Sequence, residues 1–341
     1  MTLELILGAM LVGALTFYLL FGGADFGAGI WTAFATGPDG QRQRALVDRA
    51  IGPIWEANHV WLIIAVTILF TAFPPAFAVI STRLHIPLTA MLIGIVLRGT
   101  AFAIRTHDIS SRPDGFTNAP RVWHGVFALS SLFTPIMLGL VLGAVASGRA
   151  AGPSATFLET FVAPWLALFP AAVGLLAAAL VAYLAAVYLT IESDDPALRR
   201  LFRRRAVASW FLVVGLGGAA LALSKTGAPE IYRGLLGTGA GRSAVAVTAG
   251  LLLAGLWSLL RRRDYLARLF AAAGAVAVLW GWALSQFPYL VEPSVTIYDA
   301  APPVTLRILL GSLLGGSVLL FPFLSYLYRL FKGEFLTHRG V

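Results

Sequence analysis

Ile51-Gly52-Pro53-Ile54-Trp55-Glu56-Ala57-Asn58-His59-Val60-Trp61-Leu62-Ile63 is the stretch that decides the fold of this chain. It opens an apolar segment running to Phe73, the length of about 20 mainly apolar residues that a membrane-spanning helix requires. An acid, Glu56, stands near its start. A second acid, Asp25, lies inside the preceding apolar segment, in Gly22-Gly23-Ala24-Asp25-Phe26-Gly27-Ala28-Gly29. An ionisable group inside a bilayer costs roughly 2.5 to 3.5 kcal/mol on insertion scales, so such groups mark proton, ion or substrate pathways.

The composition agrees. The chain is 58% hydrophobic and only 12% charged, with a mean hydropathy of +0.83. A soluble domain is about 25% charged, which excludes that class and leaves an all-α integral membrane protein. The absence of cysteine excludes disulfides, thiolate-bound zinc, iron–sulfur clusters and covalently attached c-type haem. The net charge of +9 points to basic cytoplasmic loops rather than to nucleic acid. Met1-Thr2-Leu3-Glu4 has no positive n-region, and the apolar run after it is too long for a signal-peptide core. The first segment is therefore expected to be a retained helix.

Nine spanning segments are expected: 3–35, 51–73, 76–105, 122–146, 160–191, 205–224, 243–260, 266–286 and 304–331. Pro74-Pro75 separates the second from the third. Pro113, Pro120, Pro153, Pro229, Pro293 and Pro302-Pro303 fall in connections. Pro164 and Pro170 are expected to kink the fifth helix. With nine segments the basic residues alternate sharply. One side holds Arg42, Arg44, Arg49, Arg105, Arg112, Arg121, Arg199, Arg200, Arg203, Arg204, Arg205, Arg261, Arg262, Arg263, Arg268, Arg329, Lys332 and Arg339. The other holds Arg83, Arg149, Lys225, Arg233, Arg242 and Arg307. That split puts the N-terminus outside and the C-terminus in the cytoplasm, with the Arg199–Arg205 and Arg261–Arg263 runs as anchors facing anionic lipid. The chain is expected to form one membrane domain over 1–341, with helices 1–4 within 1–146, helices 5–8 within 160–286, and the last helix at 304–331.

Three charged residues then fall in the cytoplasmic half. At about 1.5 Å of rise per residue, Asp25 is roughly 15 Å, Glu56 roughly 8 Å and Arg98 roughly 10 Å from the cytoplasmic helix ends. Arg98 is expected to pair with an acid or a carbonyl. The glycines at 22, 23, 27 and 29 permit close helix approach or local unwinding. One reading is a cytoplasmic uptake path for protons or cations, carried by Asp25 and Glu56 and tuned by Arg98. The other is an ion-pair cluster that locks three helices. His59 shares a helix face with Glu56 and could ligate haem, relay protons or only hydrogen-bond. No second histidine matches it in depth. Asn58 and Trp61 are expected to pack or hydrogen-bond between helices. The outer connection Phe287–Ala301 is apolar and aromatic, and should pack on the bundle or on a partner.

Gly23-Ala24-Asp25-Phe26-Gly27-Ala28-Gly29 and Pro53-Ile54-Trp55-Glu56-Ala57-Asn58-His59-Val60-Trp61-Leu62 resemble subunit II of the cytochrome bd family of quinol oxidases. The likeness continues through Leu69-Phe70-Thr71-Ala72-Phe73-Pro74, Arg98, Arg105, Phe287-Pro288-Tyr289, Thr296 and Asp299-Ala300. Gln286-Phe287-Pro288-Tyr289 is similar to the branch often called cyanide-insensitive. Glu56 stands where many members carry aspartate. The resemblance implies two four-helix bundles plus a peripheral helix, in the bacterial inner membrane. It implies a heterodimer with a haem-bearing subunit I, a small accessory membrane subunit in some complexes, and contact with the quinone pool. It puts haem b and haem d (or a b-type haem in its place) in subunit I and no cofactor in this chain. It implies quinol oxidation outside, dioxygen reduction to water, and protons drawn from the cytoplasm, giving a protonmotive force without pumping. On the polar residues alone, a secondary transporter coupling through Asp25, Glu56 and Arg98 stays open, as does a purely structural subunit.

Overall fold

Apolar runs this long can satisfy their backbone N–H and C=O groups in a bilayer only as helices, and helix dominates the chain. The computed structural model describes residues 2–37, 39–51, 55–111, 119–152 and 156–337, with their side chains except at 51, 55–57, 106–111, 119–121 and 327–337. The side chains of Glu56, His107, Arg121, Arg329 and Lys332, and all of Arg112, Pro113, Pro153, His338 and Arg339, lie outside the described part.

The first span is continuous over Leu3–Ala33, as α1 (Leu3–Phe17), a π-helical turn (Tyr18–Gly22) and α2 (Gly23–Ala33). An amphipathic helix follows, α3 (Gly40–Ile51), and then α4 (Trp55–Ala72), α5 (Pro74–Arg83), α6 (His85–Ser111) and α7 (Ala119–Ala146). The second half holds α8 (Phe157–Phe161), α9 (Leu168–Glu192), α10 (Pro196–Gly227), α11 (Pro229–Tyr232), α12 (Gly239–Leu260) and α13 (Asp264–Gln286). A hairpin of β1 (Tyr289–Val291) and β2 (Val295–Thr296) then leads to α14 (Pro303–Thr337). Among the described residues eight helices are long and apolar enough to cross a membrane. The bent pair α4–α5 makes a ninth if it is taken as one span.

Several expected boundaries move, each for a local reason. The segment expected at 76–105 is two helices. Phe73, held off the helical region by the following proline, lets Pro74 and Pro75 start α5, and α4 and α5 meet at 116°. Leu84 then leaves helical geometry and α6 begins at His85. The segment expected at 160–191 is also divided. Pro164 lies between α8 and α9, and Pro170 sits in the first turn of α9, where the missing N–H breaks no helical bond. It begins the helix rather than kinking it. The sixth helix starts earlier than expected, at Pro196 after the Asp195 cap, so the arginine run is helical. Pro120 and Pro229 likewise stand at helix starts rather than in connections.

Helix α9 is apolar on all sides and sits at the centre, packed against α2, α7, α10 and α13. Its apolar stretch is 72% buried, whereas that of α14 is 6% buried, which makes α14 peripheral, resting on α1 and α4. One end of the molecule gathers Leu7, Ala72, Phe73, Ala76, Leu84, Val145, Val291, Val295, Ile297 and Leu306 into an apolar cluster. The hairpin therefore packs on the bundle: Ile297 fills the notch left by Gly8, and Ala301 N–H donates to the Ala72 carbonyl (2.8 Å). The opposite end gathers Leu46, Val47, Phe102, Phe127, Leu189, Leu198 and Phe202.

Candidate functional site

Small residues bring the helices around Asp25 together. A Cβ at Gly27 would fall on the Val181 carbonyl oxygen of α9, and one at Gly29 on the Ser131 hydroxyl of α7. Both expectations for these glycines hold, since the π-helical turn ending at Gly22 is a local unwinding and Gly27 and Gly29 are close approaches. Such π segments recur at functional sites. Immediately after this one, Asp25 is buried, 4% exposed. Its Oδ2 accepts a hydrogen bond from Asn58 Nδ2 of α4, which also lies 3.4 Å from the carbonyl oxygen of Phe21 in the π turn. Asn58 thus makes the interhelical bond expected of it, and Trp61, one turn on, stacks on Phe17 with centroids 4.4 Å apart.

Arg98 of α6 is 2% exposed. Of the partners expected for it, the Glu56 side chain lies outside the described part; among the described residues its Nε donates to the Ser131 hydroxyl (3.2 Å), and its guanidinium lies over the rings of Phe26 (4.8 Å) and Phe127 (5.2 Å). Its Nη2 has no hydrogen-bond partner among the described residues. Aromatic faces stabilise a desolvated cation, so the two rings help to hold the arginine here. It remains within electrostatic reach of Asp25 and Tyr18. The Tyr18 hydroxyl is buried without a hydrogen-bond partner among the described residues, and its ring lies 6.2 Å from that of His59, which also faces Phe26 at 6.4 Å.

A second pair stands toward the α3 end. Arg105, about two turns beyond Arg98 on α6, donates to Asp48 Oδ1 of α3 (2.6 Å) and lies 4.5 Å from the same Phe127 ring. Burial pushes the Asp48 carboxyl above its usual value, and the charges of Arg105, His124 and Arg44 oppose that. The structure therefore brings Asp25, Arg98 and His59 into one neighbourhood with Asn58, Ser131 and Tyr18. Glu56 is on the first turn of α4, with its side chain outside the described part. Ser131 and Tyr18 carry no distinguishing sequence signal. The Asp48–Arg105 pair could have been sought as an acid and a base at the same membrane face.

Among the described residues no two imidazoles are paired at the site. His85 packs on Phe161 (5.1 Å) and His124 is within reach of Asp48, so the described histidines occupy three separate neighbourhoods. Among the described residues no group of three or more His, Cys, Asp or Glu could hold a metal ion.

Comparison with known proteins gives a consistent result. The family profile described as cytochrome bd terminal oxidase subunit II matches residues 3–331. A chain in the structure of bd oxidase from Geobacillus thermodenitrificans has a TM-score of 0.75 and 25% identity, covering 97% of this chain and 99% of that one. Cytochrome bd ubiquinol oxidase subunit 2 of Bacillus subtilis (strain 168) is 34% identical over 119 residues, 35% of this chain and 33% of that protein. Cytochrome bd-I ubiquinol oxidase subunit 2 of Escherichia coli (strain K12) is 26% identical over 136 residues, 40% of this chain and 33% of that protein. The chain thus spans about a third of the length of these curated relatives in the matched stretches.

Proposed function

The chain belongs to the cytochrome bd terminal oxidase subunit II family, and from that premise we propose that it is the membrane subunit that supports a haem-bearing subunit I in a quinol:dioxygen oxidoreductase of the bacterial inner membrane. Family membership weighs against the transporter reading. In this assignment haem b, haem d (or a further b-type haem) and the quinol-oxidising site belong to subunit I. Those groups supply the electron chemistry of the complex. Quinol gives up its protons outside and dioxygen takes protons from the cytoplasm, so charge separates across the membrane without pumping.

What this chain adds is a route for protons from the cytoplasmic face. The observation that carries it is the buried Asp25 carboxylate, held by Asn58 and within electrostatic reach of the buried Arg98. The Asn58 donor and the Arg98 cation compensate an ionised carboxylate that apolar surroundings alone would not tolerate. Protons pass from the Asp48–Arg105 end toward Asp25, with Glu56 and His59 on α4 as the neighbouring carriers. Arg98, fixed by Ser131 and two aromatic rings, sets the local field without itself exchanging protons.

The test is to make Asp25→Asn and Glu56→Gln separately and to measure haem content and quinol-driven oxygen uptake. The expected outcome is full haem content with turnover lowered roughly 10²-fold in at least one variant. Full assembly with unchanged turnover in both would sink the proton route. Loss of assembly would instead support the reading in which the cluster only locks helices.

A further inference from the structure

Where α9 ends and α13 begins there is a cavity of about 400 Å³, lined by Thr190, Ile191, Arg199, Arg262, Arg263, Asp264, Tyr265 and Leu266. Three arginines face it against one aspartate, and that aspartate is engaged: Asp264 accepts a two-pronged contact from Arg203 (2.7 and 2.8 Å). Arg199 is braced, its Nε and Nη2 donating to the Ser193 carbonyl. Arg263 is braced too, with its guanidinium 5.2 Å from the Trp257 ring.

Arg262 is the informative residue. Helix α12 ends in a paired closure, Arg263 N–H to the Ser258 carbonyl and Arg262 N–H to the Leu259 carbonyl. This is the Schellman arrangement, whose left-handed position is normally glycine. Here that position is Arg262, with φ at +57°, and no other non-glycine residue among those described has positive φ. A side chain with a Cβ is disfavoured in that conformation. The chain nevertheless places a long cation there, on the wall of the cavity.

We propose that this cavity binds a phosphate group through Arg199, Arg262 and Arg263. Guanidinium groups match phosphate oxygens in geometry and charge. The surroundings favour a lipid headgroup as the source. The cavity lies at the ends of two spanning helices, Ile191 and Leu266 give it an apolar side, and the exposed Tyr265 stands where aromatic residues meet headgroups. The basic-residue count assigns this end to the cytoplasmic leaflet, where anionic lipids attract clustered arginines.

The experiment compares wild type with Arg262→Gly and the double variant Arg199→Gln/Arg262→Gly, each purified with the subunits that accompany it. Native mass spectrometry reads binding of added phosphatidylglycerol, with phosphatidylcholine as the neutral control. Thermal unfolding in millimolar inorganic phosphate reads the soluble source. Arg262→Gly should fold as well as wild type or better, because glycine suits the left-handed position, so a loss of binding would not be a loss of fold. A lipid site is supported if phosphatidylglycerol binding weakens at least tenfold in the double variant while inorganic phosphate does not change the wild-type melting temperature. A soluble phosphate site is supported if inorganic phosphate raises the melting temperature of wild type and not of the double variant. The proposal is overturned if wild type and the double variant respond alike to both probes, the result expected of a merely solvated basic surface.

Discussion

Glu292, in the hairpin over the apolar end, is a buried carboxyl facing Glu230 and Arg233. Burial first, and the Glu230 charge second, push it up to about 7 from 4.5, with Arg233 opposing. The folded chain therefore holds more protons than the unfolded chain between about pH 4.5 and 7, and stability falls as pH rises through that window. Glu292→Gln should remove this slope. Melting curves across pH 4.5 to 7.5 are expected to show the wild type losing ground to the variant, with the gap complete above pH 7; parallel curves would refute the assignment. At this scale the sequence was readable where chemistry conflicts with surroundings. Asp25 and Arg98 stand out because a charge in an apolar run is anomalous. Ser131 does not, since its role depends on which face α7 turns to α6. Arg262 is hidden for a similar reason: its residue type argues against the backbone conformation it adopts.

At the scale of elements, α2 is the clearest case of sequence dictating packing. Gly27 lets α2 rest on the backbone of α9, and its added Cβ would also meet that of Ala185 at 2.7 Å. Gly27→Ala should therefore destabilise by about 1–3 kcal/mol through overpacking. Gly13→Ala, on α1 where a Cβ meets nothing within 4 Å, should be neutral or stabilising by up to about 1 kcal/mol. Melting temperature and yield of the assembled complex check the pair, and equal behaviour of the two variants would contradict the contact. Hydropathy located the spans well, because burial in lipid demands long apolar runs. It could not reveal the 116° turn at Phe73 or the π turn at Tyr18–Gly22. Prolines mark where a helix stops, but the direction taken next is set by tertiary packing. The hairpin was visible only as an apolar connection with something to cover.

Across the whole molecule, the start of α1, the end of α7, the hairpin and the start of α14 share one end, and the alternation of basic residues predicts that this end faces outward. The absence of cysteine makes the compartments directly testable. A cysteine at Thr156 should react with a membrane-impermeant maleimide in intact cells, and one at Asp194 only after lysis; the reverse pattern would invert the orientation. The apolar end has an electrical consequence. Phe73, Ala72, Ala76, Leu84 and Leu306 are completely inaccessible there, and the hairpin closes over them. A close-packed hydrocarbon plug of this kind is an electrical insulator, since apolar side chains packed without gaps leave an ion no solvated path. Under the proposed proton route, the Asp25 carboxyl beneath such a plug would be wired to one compartment alone, and that route would not double as a leak across the membrane.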